Sequence, residues 1–151
     1  EATPRLSPDG RFVAYESART GVNEIYVRPV TGSGEEVRVS TAGGMDPVWS
    51  PSGHEVFFVE GTGSWELSAS PTARLMAAQV ATSPRFAVTG VRPLFPLRQY
   101  MTILGRSSYD VFPNGDFLLL AVQSDSARSV PLVVRTNWAS LLGERRGDRT
   151  P

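Results

Sequence analysis

One tight turn, met three times, constrains this chain more than any other feature. Ser7-Pro8-Asp9-Gly10 leads into Arg11-Phe12-Val13-Ala14-Tyr15. Ser50-Pro51-Ser52-Gly53 leads into His54-Glu55-Val56-Phe57-Phe58. Phe112-Pro113-Asn114-Gly115 leads into Asp116-Phe117-Leu118-Leu119-Leu120. In each copy Pro sets φ for the second turn position, a short polar residue follows, and Gly takes the backbone angles that other residues resist. An apolar run of strand type comes directly after.

The turns begin 43 and then 62 residues apart, the longer gap being taken up by expanded loops in the second unit. Around each turn lie further short strand candidates. In the first unit these are Glu24–Val30 and Glu35–Ser40, the latter alternating charge and Val as a solvent-facing outer strand does. In the second they are Arg74–Val80, whose Leu, Met, Ala and Gln also suit a helical turn, and Phe86–Phe95, whose prolines suit an edge. In the third, Ser108–Phe112 precedes the turn and Val130–Thr136 follows. Phe12 and Ala14 fall on one side of their strand, Val13 and Tyr15 on the other, so both faces of the sheet call for cover. A unit of about 40–45 residues with four strands is the repeat of a propeller blade, in which radial stacking buries two apolar faces that one sheet cannot bury alone. The expected fold is therefore all-β, a β-propeller fragment of about three four-stranded antiparallel blades. Their bounds are near 3–44, 45–97 and 107–138, with a loose tail over 139–151.

Composition narrows the function classes. Lys+Arg and Asp+Glu are both 15, so there is no basic excess for a polyanion, and no nucleic-acid partner is expected. The absence of Cys excludes disulfides and thiolate metal sites, and suits a periplasm or a cytoplasm. No apolar run approaches the ~20 residues that span a bilayer, so no membrane contact is expected from this chain. The chain opens at Glu1-Ala2-Thr3-Pro4 without Met, which reads as a cut rather than a native start.

Ser7 to Tyr15 followed by Ile25-Tyr26-Val27, and Pro47-Val48-Trp49-Ser50-Pro51-Ser52-Gly53, resemble the WD40-like repeats of TolB-type β-propellers. Tyr109 to Gly115, with Val133-Val134-Arg135-Thr136-Asn137-Trp138, resembles the closing blade of propellers appended to bacterial serine/threonine kinases. The likeness covers most of residues 3–138. The departures are Ser52 and Asn114 in place of Asp, and Phe112 in place of Ser, which imply turns kept with some side-chain hydrogen bonds lost. Rings of this type close with about six or more blades, so the resemblance implies the C-terminal part of a larger propeller. Open blade edges would then invite self-association.

No catalytic constellation emerges. His54 is the single His and follows a turn glycine, a surface position; one His cannot build a His-rich metal site. Gly61-Thr62-Gly63-Ser64 lacks the Gly-Lys-Ser/Thr and helix of a phosphate loop. No Gly-x-Ser-x-Gly elbow occurs. No cofactor is expected. Asp46 and Asp110 lie near the starts of first strands, which line a propeller's channel, although the turns align Asp110 with Val48 rather than with Asp46. Trp49 reads as core between blades. Trp65, in a polar loop, is either an exposed recognition residue or folded back over its own blade. Arg146-Gly147-Asp148 spells an adhesion tripeptide within a basic end, which Arg145, Arg146 and Arg149 make a solvated one. The expectation is a non-catalytic interaction or sensor module of a bacterial signalling or envelope protein, binding a protein or small ligand through its loops. The alternative is the accessory propeller of a prolyl-oligopeptidase-like serine peptidase.

Overall fold

The computed structural model describes residues 1–32, 34–61, 72–98, 100 and 109–120, and the backbone of 132–135. Among the described residues, three antiparallel sheets follow one another along the chain. The first is a meander of β1 (Ala2–Leu6), β2 (Phe12–Ser17), β3 (Glu24–Pro29) and β4 (Val37–Arg38). The second repeats it with β5 (Met45–Trp49), β6 (Glu55–Glu60), β7 (Arg74–Ala81) and β8 (Ala87–Pro96). The third holds β9 (Tyr109–Val111), β10 (Phe117–Leu120) and β11 (Leu132–Arg135) among the described residues. Arg74–Val80 is thus strand rather than helix: cross-strand pairing with both β6 and β8 overrides the helical preference of its side chains.

The repeated turn makes the same backbone bonds in the first two sheets. Ser7 N–H donates to the Phe12 carbonyl at 2.8 Å, and Ser50 N–H to the Glu55 carbonyl at 2.9 Å. Each serine hydroxyl also accepts from the first strand residue, Phe12 N–H or Glu55 N–H, at 3.0 Å. Gly10, Gly53 and Gly115 all take positive φ, as the turn requires. The expected loss of side-chain bonds is partial. Ser52 still meets Ser50 at 3.1 Å and accepts from His54 N–H at 3.4 Å, and Asn114 Oδ1 accepts from Asp116 N–H at 3.1 Å.

Two apolar clusters join the sheets. Phe12, Ala14, Ile25 and Val27 meet Trp49, Val56, Phe58, Met76 and Phe86 between the first and second. Phe57, Val59, Leu75 and Leu94 meet Tyr109, Phe117 and Leu119 between the second and third. Alternation along β6 makes this possible, because successive side chains leave on opposite faces. Trp49 lies in the first cluster, as its place in the repeat suggests, and its indole N–H donates to the Arg5 carbonyl of the neighbouring sheet at 3.1 Å. The outer strand of the first sheet differs from expectation. Only Val37–Arg38 pairs as strand, and Val39 is 2% exposed, because Val39 N–H turns inward to the Ile25 carbonyl at 2.7 Å.

The third hairpin carries the largest departure. By alignment of the turns, Val111 corresponds to Leu6 and Trp49, and Leu118 to their partners Val13 and Val56. Val111 instead pairs with Phe117, one residue earlier. The hairpin closes from Phe112 N–H to the Asp116 carbonyl at 2.8 Å. A slip of one residue exchanges the two faces of a strand. Phe117 and Leu119 therefore point into the core with the second sheet, and Leu118 and Leu120 are left half-buried.

Candidate functional site

The starts of successive sheets meet around a chain of buried polar contacts. β1 and β5 each carry an irregularity, between Ala2 and Arg5 and between Met45 and Val48. At equivalent places in these bulges Thr3 and Asp46 adopt φ of +49° and +54°, angles uncommon for residues with a side chain. The buried Glu16 carboxylate ties the two together. Its Oε1 accepts from the Thr3 hydroxyl at 2.5 Å and from Asp46 N–H at 2.7 Å. The Tyr109 hydroxyl then donates to the Asp46 carbonyl oxygen at 2.9 Å, which brings in the third sheet. Burial above all, and then the charge of Asp46, pushes the Tyr109 phenol well above its ordinary pKa, so it remains a donor.

Beside this seam lies a cleft of 440 Å³. Arg5, Leu6 and Pro8 of the first sheet form one wall, and Tyr109, Asp110 and Leu118 to Leu120 of the third form the other. Val48 and Trp49 of the second sheet lie between them. Leu6 is 62% exposed, a large apolar side chain at the opening. The cleft offers an apolar surface with a carboxylate on one wall and an arginine on the other, a mixture that suits binding and orientation. Among the described residues no cluster of His, Asp and Glu could hold a metal ion.

The sequence-predicted site residues separate. Asp110 is exposed on the cleft wall, and its Oδ1 accepts from Val111 N–H at 2.8 Å. Asp46 is 3% exposed and is not among the residues that line the cleft, whereas the charges of both Asp46 and Asp110 act on the buried Tyr109 between them in sequence. Trp65, Trp138 and the tail with Arg146-Gly147-Asp148 lie outside the described residues. His54 is exposed at the turn. Sequence reasoning missed Leu6, Pro8 and Tyr109, whose shared surface arises only once three sheets stack. It also missed Glu16, for which a signal existed: alternation puts this carboxylate on the same strand face as Phe12 and Ala14.

No protein-family model matches the sequence, and no curated protein matches it. Solved structures do. The chain superposes on the crystal structure of TolB from Acinetobacter baumannii with a TM-score of 0.58 and 22% identity, covering 82% of this chain and 27% of that one. It superposes on a putative TolB from Agrobacterium tumefaciens with a TM-score of 0.51 and 27% identity, covering 76% of this chain and 39% of that one. The chain thus spans well under half the length of either structure. Repeated turns, meander sheets stacked face to face and these superpositions agree: the chain is a fragment of a TolB-like β-propeller.

Proposed function

We propose that this chain is a non-catalytic interaction module, and that it binds a protein segment or small ligand in the cleft between the first and third sheets. The observation that carries the reading is the cleft itself, with exposed Leu6 at its opening and Asp110 and Arg5 on opposite walls. A propeller holds such a surface rigidly, so ordering it costs little on binding. The TolB-like fold supports a propeller module, and on this reading it is the sensor or scaffold part of a larger bacterial envelope or signalling protein.

The test is a screen of short peptides and small-molecule fragments, read by NMR shifts of the chain. Ligands of the proposed kind perturb β1 and β9, and their binding is lost in the double variant Leu6→Glu/Asp110→Arg, both changes being at exposed positions. Ligands that bind the double variant equally well, or a screen without hits at these strands, would overturn the assignment.

A further inference from the structure

The third copy of the turn differs from the other two at the position after proline. Asp9 and Ser52 stand there in the first two copies, and Asn114 in the third, directly before Gly115. Glycine brings no Cβ to crowd its own nitrogen, so that nitrogen can reach the side-chain amide carbon of a preceding asparagine. Asn114 and Gly115 are both exposed. Gly115 takes a φ of +88°, and nothing lies within 4 Å of the place a Cβ would occupy, so the turn is open to water on that side.

The Asn114 amide is held in one orientation. Its Oδ1 accepts from Asp116 N–H at 3.1 Å, and its Nδ2 donates to Asp116 Oδ2 at 2.7 Å. Exchanging oxygen and nitrogen would set donor against donor and acceptor against acceptor, so these partners fix the assignment. The N–H at Oδ1 draws electron density from Cγ and stabilises negative charge that develops on that oxygen. The nucleophile is restrained as well, since Gly115 N–H donates to the Phe112 carbonyl at 2.9 Å. Attack therefore waits on an opening of the turn that breaks this bond. The ladder beside it is short, Tyr109–Val111 against Phe117–Leu119, and short ladders open locally.

We propose that Asn114 is a site of spontaneous deamidation, and that the product loosens the hairpin that forms one wall of the cleft. The Gly115 nitrogen attacks Asn114 Cγ and closes a succinimide ring. The side-chain nitrogen leaves as ammonia, taking the proton that the Gly115 nitrogen gives up. Water then opens the ring, with no oxidant or reductant involved. Cleavage at Cγ leaves aspartate; cleavage at the backbone carbonyl leaves isoaspartate, whose main chain runs through Cβ and Cγ. The other copies each lack a part. Asp9 precedes Gly10, but the Ser7 bond first, then the Arg11 bonds, lower its pKa to about 2, and an ionised carboxylate resists attack. Ser52 has no carbonyl to attack. The product also meets an unfavourable neighbour. Two residues beyond Asp9 stands Arg11, which pairs with it at 2.7 Å, whereas two beyond Asn114 stands Asp116. Deamidation replaces an amide that donates to the Asp116 carboxylate with a like charge facing it. Asp110 and Leu118 to Leu120, on the strands this turn joins, line the cleft, but the site stands whether or not the cleft binds a ligand.

The experiment incubates the intact chain in mildly alkaline heavy-oxygen water and maps its peptides by mass spectrometry, with fragmentation that separates aspartate from isoaspartate. Asn23 is the internal reference, because the next residue, Glu24, carries a side chain and is buried in β3. Asn114 should convert at least about tenfold faster than Asn23, since approach of the nitrogen is freer. Both products should form, and both should carry the heavy oxygen. Conversion no faster than at Asn23, or aspartate without isoaspartate, overturns the site. The consequence is read on Asn114→Asp, a residue that the first copy of the turn already accommodates. Its Leu118–Leu120 amides should exchange about fivefold faster than in the unaltered chain. The same substitution made in Asp116→Asn should leave exchange unchanged, because the like charge is gone. Unchanged exchange in Asn114→Asp, or an equal increase in both backgrounds, overturns the loosening. Should Asn114→Asp not fold, the converted fraction of the unaltered chain, separated by ion exchange after incubation, takes its place, and the same increase is required.

Discussion

Asp9 shows how one side chain fixes a turn. It accepts from the Ser7 hydroxyl at 2.6 Å and from Arg11 N–H at 3.1 Å, and pairs with Arg11 Nε at 2.7 Å. The Ser7 bond first, then the Arg11 bonds, lower its pKa from 3.8 to about 2. A carboxyl with a depressed pKa stabilises the folded state above its unfolded value, and that contribution is lost as pH falls through the folded value. Asp9→Asn should therefore melt below the unaltered chain at pH 6, and the difference should shrink between pH 3.8 and about 2 and vanish beneath that window. A difference that persists unchanged at pH 2 would assign the effect to shape rather than charge. Glu16 acts over a longer range. Glu16→Ala removes the acceptor of the buried Asp46 N–H and of the Thr3 hydroxyl, and should cost about 1–3 kcal/mol in urea unfolding. The turn chemistry of Asp9 is legible in the sequence because all its partners lie within two residues. Glu16 could be singled out as a charge on an apolar face, but its partner, thirty residues away, could not be named.

Among the elements, the hairpin β9–β10 shows two effects in competition. Phe112 stands where the other copies have a serine whose hydroxyl accepts from the first strand residue. Such a bond contributes about 1 kcal/mol net. Phe117 is fully buried, with ring centroids 4.9 Å from Phe57 and 5.8 Å from Phe95, and truncating such a residue costs about 3–5 kcal/mol. Packing therefore sets the register, and the missing hydroxyl only permits it. Phe112→Ser should leave Val111 paired with Phe117 in cross-strand NOEs, while Phe117→Ala should lower stability by about 3–5 kcal/mol. Pairing of Val111 with Leu118 in Phe112→Ser would reverse this ranking. Strand positions were readable because Pro, Gly and apolar runs act locally. The slip was not, because three repeats align by their turns, whereas register is decided by what a side chain meets in the next sheet. Val39 escaped for the same reason: its charged neighbours suggest an exposed strand, but Ile25 draws its backbone inward.

At the scale of the whole molecule, stacking orders the stability. The second sheet has an apolar cluster against each face, Val56 and Phe58 on one side and Phe57 and Val59 on the other. The first sheet has one such face and, on the other, Tyr15 stacked on Tyr26 beneath the Arg19–Glu36 ion pair; the third buries Phe117 and Leu119 but leaves Leu118 and Leu120 half covered. Burial on two faces makes β6 and β7 the last strands to open, and marginal outer strands such as β4 the first. That successive sheets should stack was legible from apolar residues on both sides of each strand. The cleft was not, since it belongs to three sheets at once and to none of their sequences. Hydrogen exchange of the intact chain, resolved by residue, tests the stacked-sheet account most directly. The account predicts the slowest exchange at Val56–Val59 and Leu75–Ala78, within the central strands of the second sheet. Exchange there as fast as at Val37–Arg38 would contradict it.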